Sequence, residues 1–142
     1  MIQNQLDSFL NKLWASILDS FNIDILTHTI SLNANVIDDD KCVMYKVVFK
    51  GVSAFYFLED SGEKRLNPPE PDSGDYTEIT SIDYYPNGIG TISIKSSSED
   101  WVNQYFSSAN FALELWNSML LIEARSIIIN DYEFEVGYPT LQ

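Results

Sequence analysis

The sequence predicts a mainly β, α+β domain in which an N-terminal amphipathic helix packs on an antiparallel β-sandwich or a strongly bent sheet. Three observations lead there. Residues 43–58, VMYKVVFKGVSAFYFL, place Val43, Tyr45, Val47, Phe49, Phe55 and Phe57 on odd positions and Lys46 and Lys50 on even ones, the period-two pattern of a half-buried strand. Further alternating runs lie on both sides of it, separated by turn residues. Near the N-terminus the spacing changes, because Leu6, Phe9, Leu10, Leu13, Trp14, Ile17, Leu18 and Phe21 recur at steps of three and four. The 142 residues are expected to form one domain, with a helix over about 3–20, an antiparallel β-domain over about 25–136 and a long loop over 59–75.

Each element has its own warrant. The helix over 3–20 follows from its apolar face, which needs a sheet to cover it. After it, His28, Ile30, Leu32, Ala34 and Val36 alternate with polar residues, and Asp38, Asp39 and Asp40 turn this strand into the central one, so residues 25–58 read as a long antiparallel hairpin. The central run is too long for one flat strand, and Gly51 marks the expected bulge or bend. Residues 59–75, EDSGEKRLNPPEPDSGD, read as an exposed loop because they hold three prolines, two glycines and few apolar side chains. Residues 76–85 and 89–95 flank Pro86-Asn87-Gly88, a hairpin signal that directs Ile92 and Ile94 to the core. Ser98 is placed to cap a short helical turn through Trp101 and Tyr105. Residues 110–124 fit a helix or a strand. Topology favours strand, since a sheet continuing into a hairpin over 126–136, turning at Asn130-Asp131, needs no further crossover.

Composition bounds the function. The net charge is −13, from 21 acidic and 8 basic side chains, which repels nucleic-acid phosphates and anionic membranes and favours a basic protein partner. An apolar share of 45% and an aromatic share of 13% argue for a packed core despite that charge. Cys42 is the single cysteine, so no internal disulfide can form. The N-terminus lacks the pattern of a secretory signal, and no apolar run reaches the roughly 20 residues needed to span a bilayer, so a cytoplasmic location is expected.

No catalytic constellation stands out. His28 is the one histidine and falls in the inward register of the second strand, as a core or rim residue; a Ser-His-Asp or Cys-His arrangement would need it beside a nucleophile, and Cys42 has no such context. One cysteine and one histidine cannot complete a usual zinc site, and the acidic clusters at 38–40, 59–60, 70–75 and 99–100 lack the ligand spacing of a calcium loop. No cofactor or metal is expected. Tyr84, Tyr85, Trp101, Tyr105 and Trp116 are core residues or an interface.

The segments FKGVSAFYFLEDSGEKR, YTEITSIDYYPNGIGTISIKS and NFALELWNSMLLIEARSIIINDYEFEV together resemble the YxiG-like proteins of Bacillus and related Firmicutes, from about Ile25 onward. The resemblance implies a small β-rich domain. It also implies a setting beside large secreted polymorphic toxins, hence an immunity protein, and it carries no catalytic residue onto this chain. The expected function is therefore a non-enzymatic protein-binding domain, an immunity-type inhibitor of a basic toxin. Its expected partner surface is Asp38, Asp39, Asp40, Glu59, Asp60, Tyr84 and Tyr85, on hairpin tips and adjoining loops. The alternatives are a carboxylate-dependent hydrolase, recognisable by two carboxyl groups facing each other across a cleft, and a ligand-binding β-domain with an apolar cavity.

Overall fold

The computed structural model describes residues 2–59, 77–116 and 118–139. Among these residues a helix, α1 (Ile2–Lys12), precedes eleven strands: β1 (Ser16–Asp24), β2 (Thr29–Asp38), β3 (Lys41–Lys50), β4 (Ala54–Glu59), β5 (Thr77–Tyr84), β6 (Ile92–Ser93), β7 (Phe106–Ser107), β8 (Phe111–Leu115), β9 (Ser118–Glu123), β10 (Ser126–Ile129) and β11 (Tyr132–Glu135). Nine of them form one antiparallel sheet in the order β11-β10-β3-β2-β1-β5-β8-β9-β4. The protein is thus mainly β, with a helix packed on a strongly bent sheet.

The bend is where the central strand was expected to break. Gly51 has φ 63°, and residues 51–53 carry β3 into β4 while residues 124–125 carry β9 into β10. Across this corner the Arg125 N–H donates to the Lys50 carbonyl and the Ser53 N–H donates to the Glu123 carbonyl. β3 pairs with β10 before the corner and β4 pairs with β9 after it, so two bent strands lie side by side along their lengths. With both followed through their bends, the sheet closes on itself as a ring: β1, β2, β3–β4, β9–β10, β8, β5 and back to β1. Ile30, Leu32, Val47, Phe49, Ile82, Phe111, Leu113, Leu120, Ile122, Ile127 and Ile129 fill its interior.

The helix packs against β5 and β11 and is shorter than its periodicity predicted. Leu6, Leu10 and Leu13 are buried in the core, while Phe9 packs on Tyr132 and Phe134 of β11 at 5.1 and 5.8 Å. Past Lys12 the chain turns over instead of continuing helical to residue 20: Ala15 adopts φ 63° and its N–H donates to the Ile79 carbonyl at 2.7 Å. Ile17, Leu18 and Phe21 then belong to β1, paired with β2 and β5. Ser16, Ile17, Asp19, Ser20, Phe21, Asn22 and Ile23 are all middling or poor helix formers, so two ladders outweigh one more stretch of helix.

The hairpin expected around Asn87-Gly88 does not form. β5 pairs with β1 and β8, and β6 pairs with β7 in a separate two-stranded sheet. The hydrogen bond from Gly88 N–H to the Tyr85 carbonyl makes Pro86 and Asn87 the central residues of the turn. Proline fixes a negative φ there, whereas the tight hairpin turn needs positive φ at both central positions. Ile92 is half-buried and Ile94 is exposed, so Ile94 does not reach the core. A 3-10 helix follows at Asp100–Gln104, with Glu99 at its N-cap; the Ser96 hydroxyl, not that of Ser98, accepts the Ser98 and Glu99 N–H groups. Residues 110–124 are strands, β8 and β9, and β10 and β11 form the expected hairpin, with Asn130 at φ 54°.

Candidate functional site

The ring has an opening. The ladder between the bent strand and β2 ends where the Val52 N–H donates to the His28 carbonyl at 2.8 Å, and beyond that point β4 diverges from β1. Among the described residues β4 pairs only with β9, and its second edge faces β1 across a cleft. Phe55 and Phe57 share the inner face with Ile122 and Leu120, as the odd register predicts, yet they are 42% and 51% exposed because this side of the ring is not sealed.

The cleft has two parts. One, of about 250 Å³, lies between Ile23, Ile25 and Ile30 on one side and Val52 and Phe55 on the other. Asp24 and His28 stand at its rim. The Thr27 hydroxyl, then the Thr27 and Leu26 N–H groups, hold the Asp24 carboxyl below its ordinary range, because each hydrogen bond favours the charged form. His28 is exposed in the turn before β2 with φ 57°, which corrects its expected place in the inward register of a strand. The other part, of about 220 Å³, is lined by Leu18 and Phe21 of β1, Phe57 and Glu59 of β4, Thr77, and Leu115, Trp116, Ser118 and Leu120. The backbone N–H of Trp116 donates to the Glu78 carbonyl at 3.1 Å, which ties this end of the lining to β5. Glu59 stands at the end of β4 opposite Ser118, and its Oε2 is buried without a hydrogen-bond partner among the described residues.

Outside the cleft, register assembles a second surface. Two rows cross four strands: Asp83, Ala112, Leu121, Tyr56, and Ser81, Glu114, Met119, Leu58. The first row has its acid, Asp83, on β5 and is apolar from Ala112 on β8 onward, and the second runs from Ser81 and Glu114 on β5 and β8 to apolar residues on β9 and β4. Tyr56 and Leu58 are exposed. Burial first, then Asp7 and Glu114, pushes the Asp83 carboxyl above its ordinary range, while a hydrogen bond from Ser81 acts the other way.

Charge is distributed unevenly between the two halves of the sheet. The neighbouring strands β1, β5, β8, β9 and β4 carry seven acidic residues, Asp19, Asp24, Glu59, Glu78, Asp83, Glu114 and Glu123, and no lysine or arginine. On β2, β3, β10 and β11, Lys41, Lys46 and Lys50 balance Asp38, Glu133 and Glu135, and Lys50 reaches Glu133 at 3.7 Å. No stretch of the linear sequence displays this contrast, since β1 and β9 are about a hundred residues apart and meet through β5 and β8.

The expected surface residues do not assemble at one place. Asp39 and Asp40 form the β2–β3 tip with φ 47° and 64°, exposed, with Asp38 opposite Lys41. Glu59 ends β4, at the far end of the same bent strand, in the cleft. Asp60 lies outside the described residues. Tyr84 is half-buried against Phe111 at 5.2 Å, where burial and then Asp7 raise its hydroxyl above its ordinary range. The Tyr85 N–H donates to the Asn110 carbonyl at 2.8 Å. Trp101, Tyr105 and Trp116 are exposed, and no helix is long and apolar enough to cross a membrane among the described residues.

Comparison with known proteins assigns the chain to a family. It is 26% identical over 113 residues to a protein of Bacillus subtilis (strain 168) described as uncharacterized protein YxiG, covering 80% of this chain and 78% of that protein. The match to the YxiG-like protein family runs over residues 6–134, from within α1 to within β11, and the chain belongs to the YxiG-like family.

Proposed function

We propose that this protein is a non-enzymatic protein-binding domain whose partner is basic, and that it acts as an immunity-type inhibitor by occluding a toxin domain. One observation carries the reading: five adjacent strands hold seven acids and no base, and they end at an open edge where apolar side chains are exposed. Uncompensated charge of one sign on one half of a molecule accelerates encounter with the opposite sign, and apolar area beside it supplies the contact that slows release. The acids on β5 and β8 support this more strongly than the β2–β3 tip, where Lys41 stands across from Asp38. The toxin setting comes from the family resemblance. The carboxyl groups of Asp83 and Glu114 share an outer sheet face, which does not favour a hydrolase needing two carboxyls across a cleft.

The test is association with any basic toxin domain found encoded beside this protein, measured by stopped flow between 20 and 300 mM salt, conditions spanning a threefold or larger change in screening length. The expected result is an association rate that falls steeply with salt and falls again, at low salt, in Glu78→Lys and Glu114→Lys. A complex whose association rate ignores both salt and these reversals would overturn the acidic surface, and growth inhibition by the toxin domain that this protein fails to relieve would overturn the immunity reading.

A further inference from the structure

We infer that the β1–β4 cleft is a binding site for an alkyl cation: an ammonium or guanidinium head on a hydrocarbon stem. The inference deepens the reading of a basic partner, on which it depends only for the source of that cation. The part of the cleft beside Trp116 holds about 220 Å³, several times the roughly 30 Å³ share of one water, and its floor and walls are apolar, from Leu18, Leu120, Phe21 and Phe57. Among the described residues one carboxylate enters this lining, that of Glu59, and its buried Oε2 has no hydrogen-bond partner among them. A buried polar atom left unpaired is costly, and a ligand that donates to it removes the cost.

The lining narrows the chemistry of that ligand. A neutral apolar molecule would leave Oε2 unpaired, and an anion would meet Glu59 and the acids of the surrounding strands. A divalent cation such as calcium takes six or more oxygen ligands, whereas among the described residues the lining supplies one carboxylate and the hydroxyls of Thr77 and Ser118. A cation on an alkyl stem satisfies every element of the site at once. Its head donates to Glu59, its stem lies on Leu18 and Leu120, and Phe21, Phe57 and Trp116 line the same space with aromatic rings, which attract a cation. Among the described residues, the five strands about the cleft carry no lysine or arginine. Such a head reaches the site either as a lysine or arginine side chain of the partner or as a free amine.

The experiment is an NMR titration of the full chain with n-butylammonium chloride, followed at the Phe57 ring and the Trp116 indole, with 1-butanol as the uncharged match. Saturable shifts at both residues, at least tenfold weaker binding of 1-butanol, and at least tenfold loss in Glu59→Gln with no loss in Glu133→Gln, on β11 away from the cleft, are expected. Equal binding of 1-butanol, or an unchanged titration in Glu59→Gln, would overturn the site, and the first comparison requires no variant to fold. Nα-acetyl-lysine N-methylamide distinguishes the sources: tighter binding than n-butylammonium upholds the site as one for a partner's lysine, and weaker binding upholds it as one for a free amine. Because these probes replace the partner, failure here leaves the association test unaffected, and failure there leaves this one intact.

Discussion

Asn110 does with one side chain what a strand would do with its backbone. It is fully buried; its Nδ2 donates to the carbonyls of Ala124 at 2.8 Å and Gly137 at 3.2 Å, and its Oδ1 accepts the Ala124 N–H at 3.0 Å. These are backbone groups at the β9–β10 corner, where the ladder is interrupted, so Asn110→Ala strands them and should cost about 2–4 kcal/mol in urea unfolding. Asp83 shows the opposite case, a group the fold burdens. Its folded pKa lies above the ordinary 3.8, chiefly through burial, so its contribution to stability is fully present below about pH 4 and is lost as pH rises through the raised value. Asp83→Asn should therefore be more stable than the parent at pH 7, with the difference closing as the pH is lowered to about 4; a constant difference would contradict the assignment. Neither residue was visible as special in the sequence, because an asparagine inside a run such as SSANFALEL looks like loop punctuation, and a carboxyl's burden depends on Asp7 and Glu114, distant in the chain. Glu59 was singled out only as an acid on a loop margin; its place in an apolar cleft follows from the course of β4.

At the level of elements, Gly51 is the residue that sets the geometry of the cleft. Its φ of 63° lies in the left-handed region, an added Cβ would stand 3.0 Å from the Arg125 Cβ, and its carbonyl accepts the Tyr138 hydroxyl at 2.7 Å. Gly51→Ala should cost about 1–3 kcal/mol in thermal or urea unfolding, and Gly51→Asn less, because asparagine tolerates that region. The bend was legible beforehand, since a sixteen-residue alternating run with a glycine at its centre cannot be one flat strand. So were the turns at Asp39-Asp40 and Asn130, whose residue types accept positive φ. Two elements were misread for definable reasons. The apolar spacing from Leu6 to Phe21 satisfies a helix throughout, but Leu18 and Phe21 line the cleft from a strand, and steps of three and four cannot register the reversal at Ala15. At Pro86-Asn87-Gly88 the proline shifted the turn by one residue, and the chain left the sheet for an excursion that returns where the Ile89 N–H meets the Ser108 carbonyl at 2.9 Å. An Asn-Gly pair is a tight hairpin signal only when both of its residues occupy the centre of the turn.

For the whole molecule, the separation of charge has a consequence for the free protein as well as for any complex. A net charge of −13 opposes compaction everywhere, but the five strands without a lysine or arginine bear most of that opposition, since β2, β3, β10 and β11 carry their own counterions. Screening should relieve the crowded half first. Raising sodium chloride from about 10 mM to 300 mM, which shortens the screening length from roughly 30 Å to less than 8 Å, should raise the unfolding midpoint by about 3 °C, the equivalent of roughly 1 kcal/mol in a chain of this size. Glu114→Lys separates this effect from a general salt effect on hydrophobic burial, because it places a cation next to Asp83 and Ser81 on the crowded half without touching the core. At low salt it should be more stable than the parent, and its midpoint should rise less steeply with salt. Asp39→Lys, at a tip flanked by Lys41, should change the slope less than Glu114→Lys does. Equal slopes in the two variants would mean that the charge acts as a uniform cloud, and the acidic half would then lose its claim to steer a basic partner.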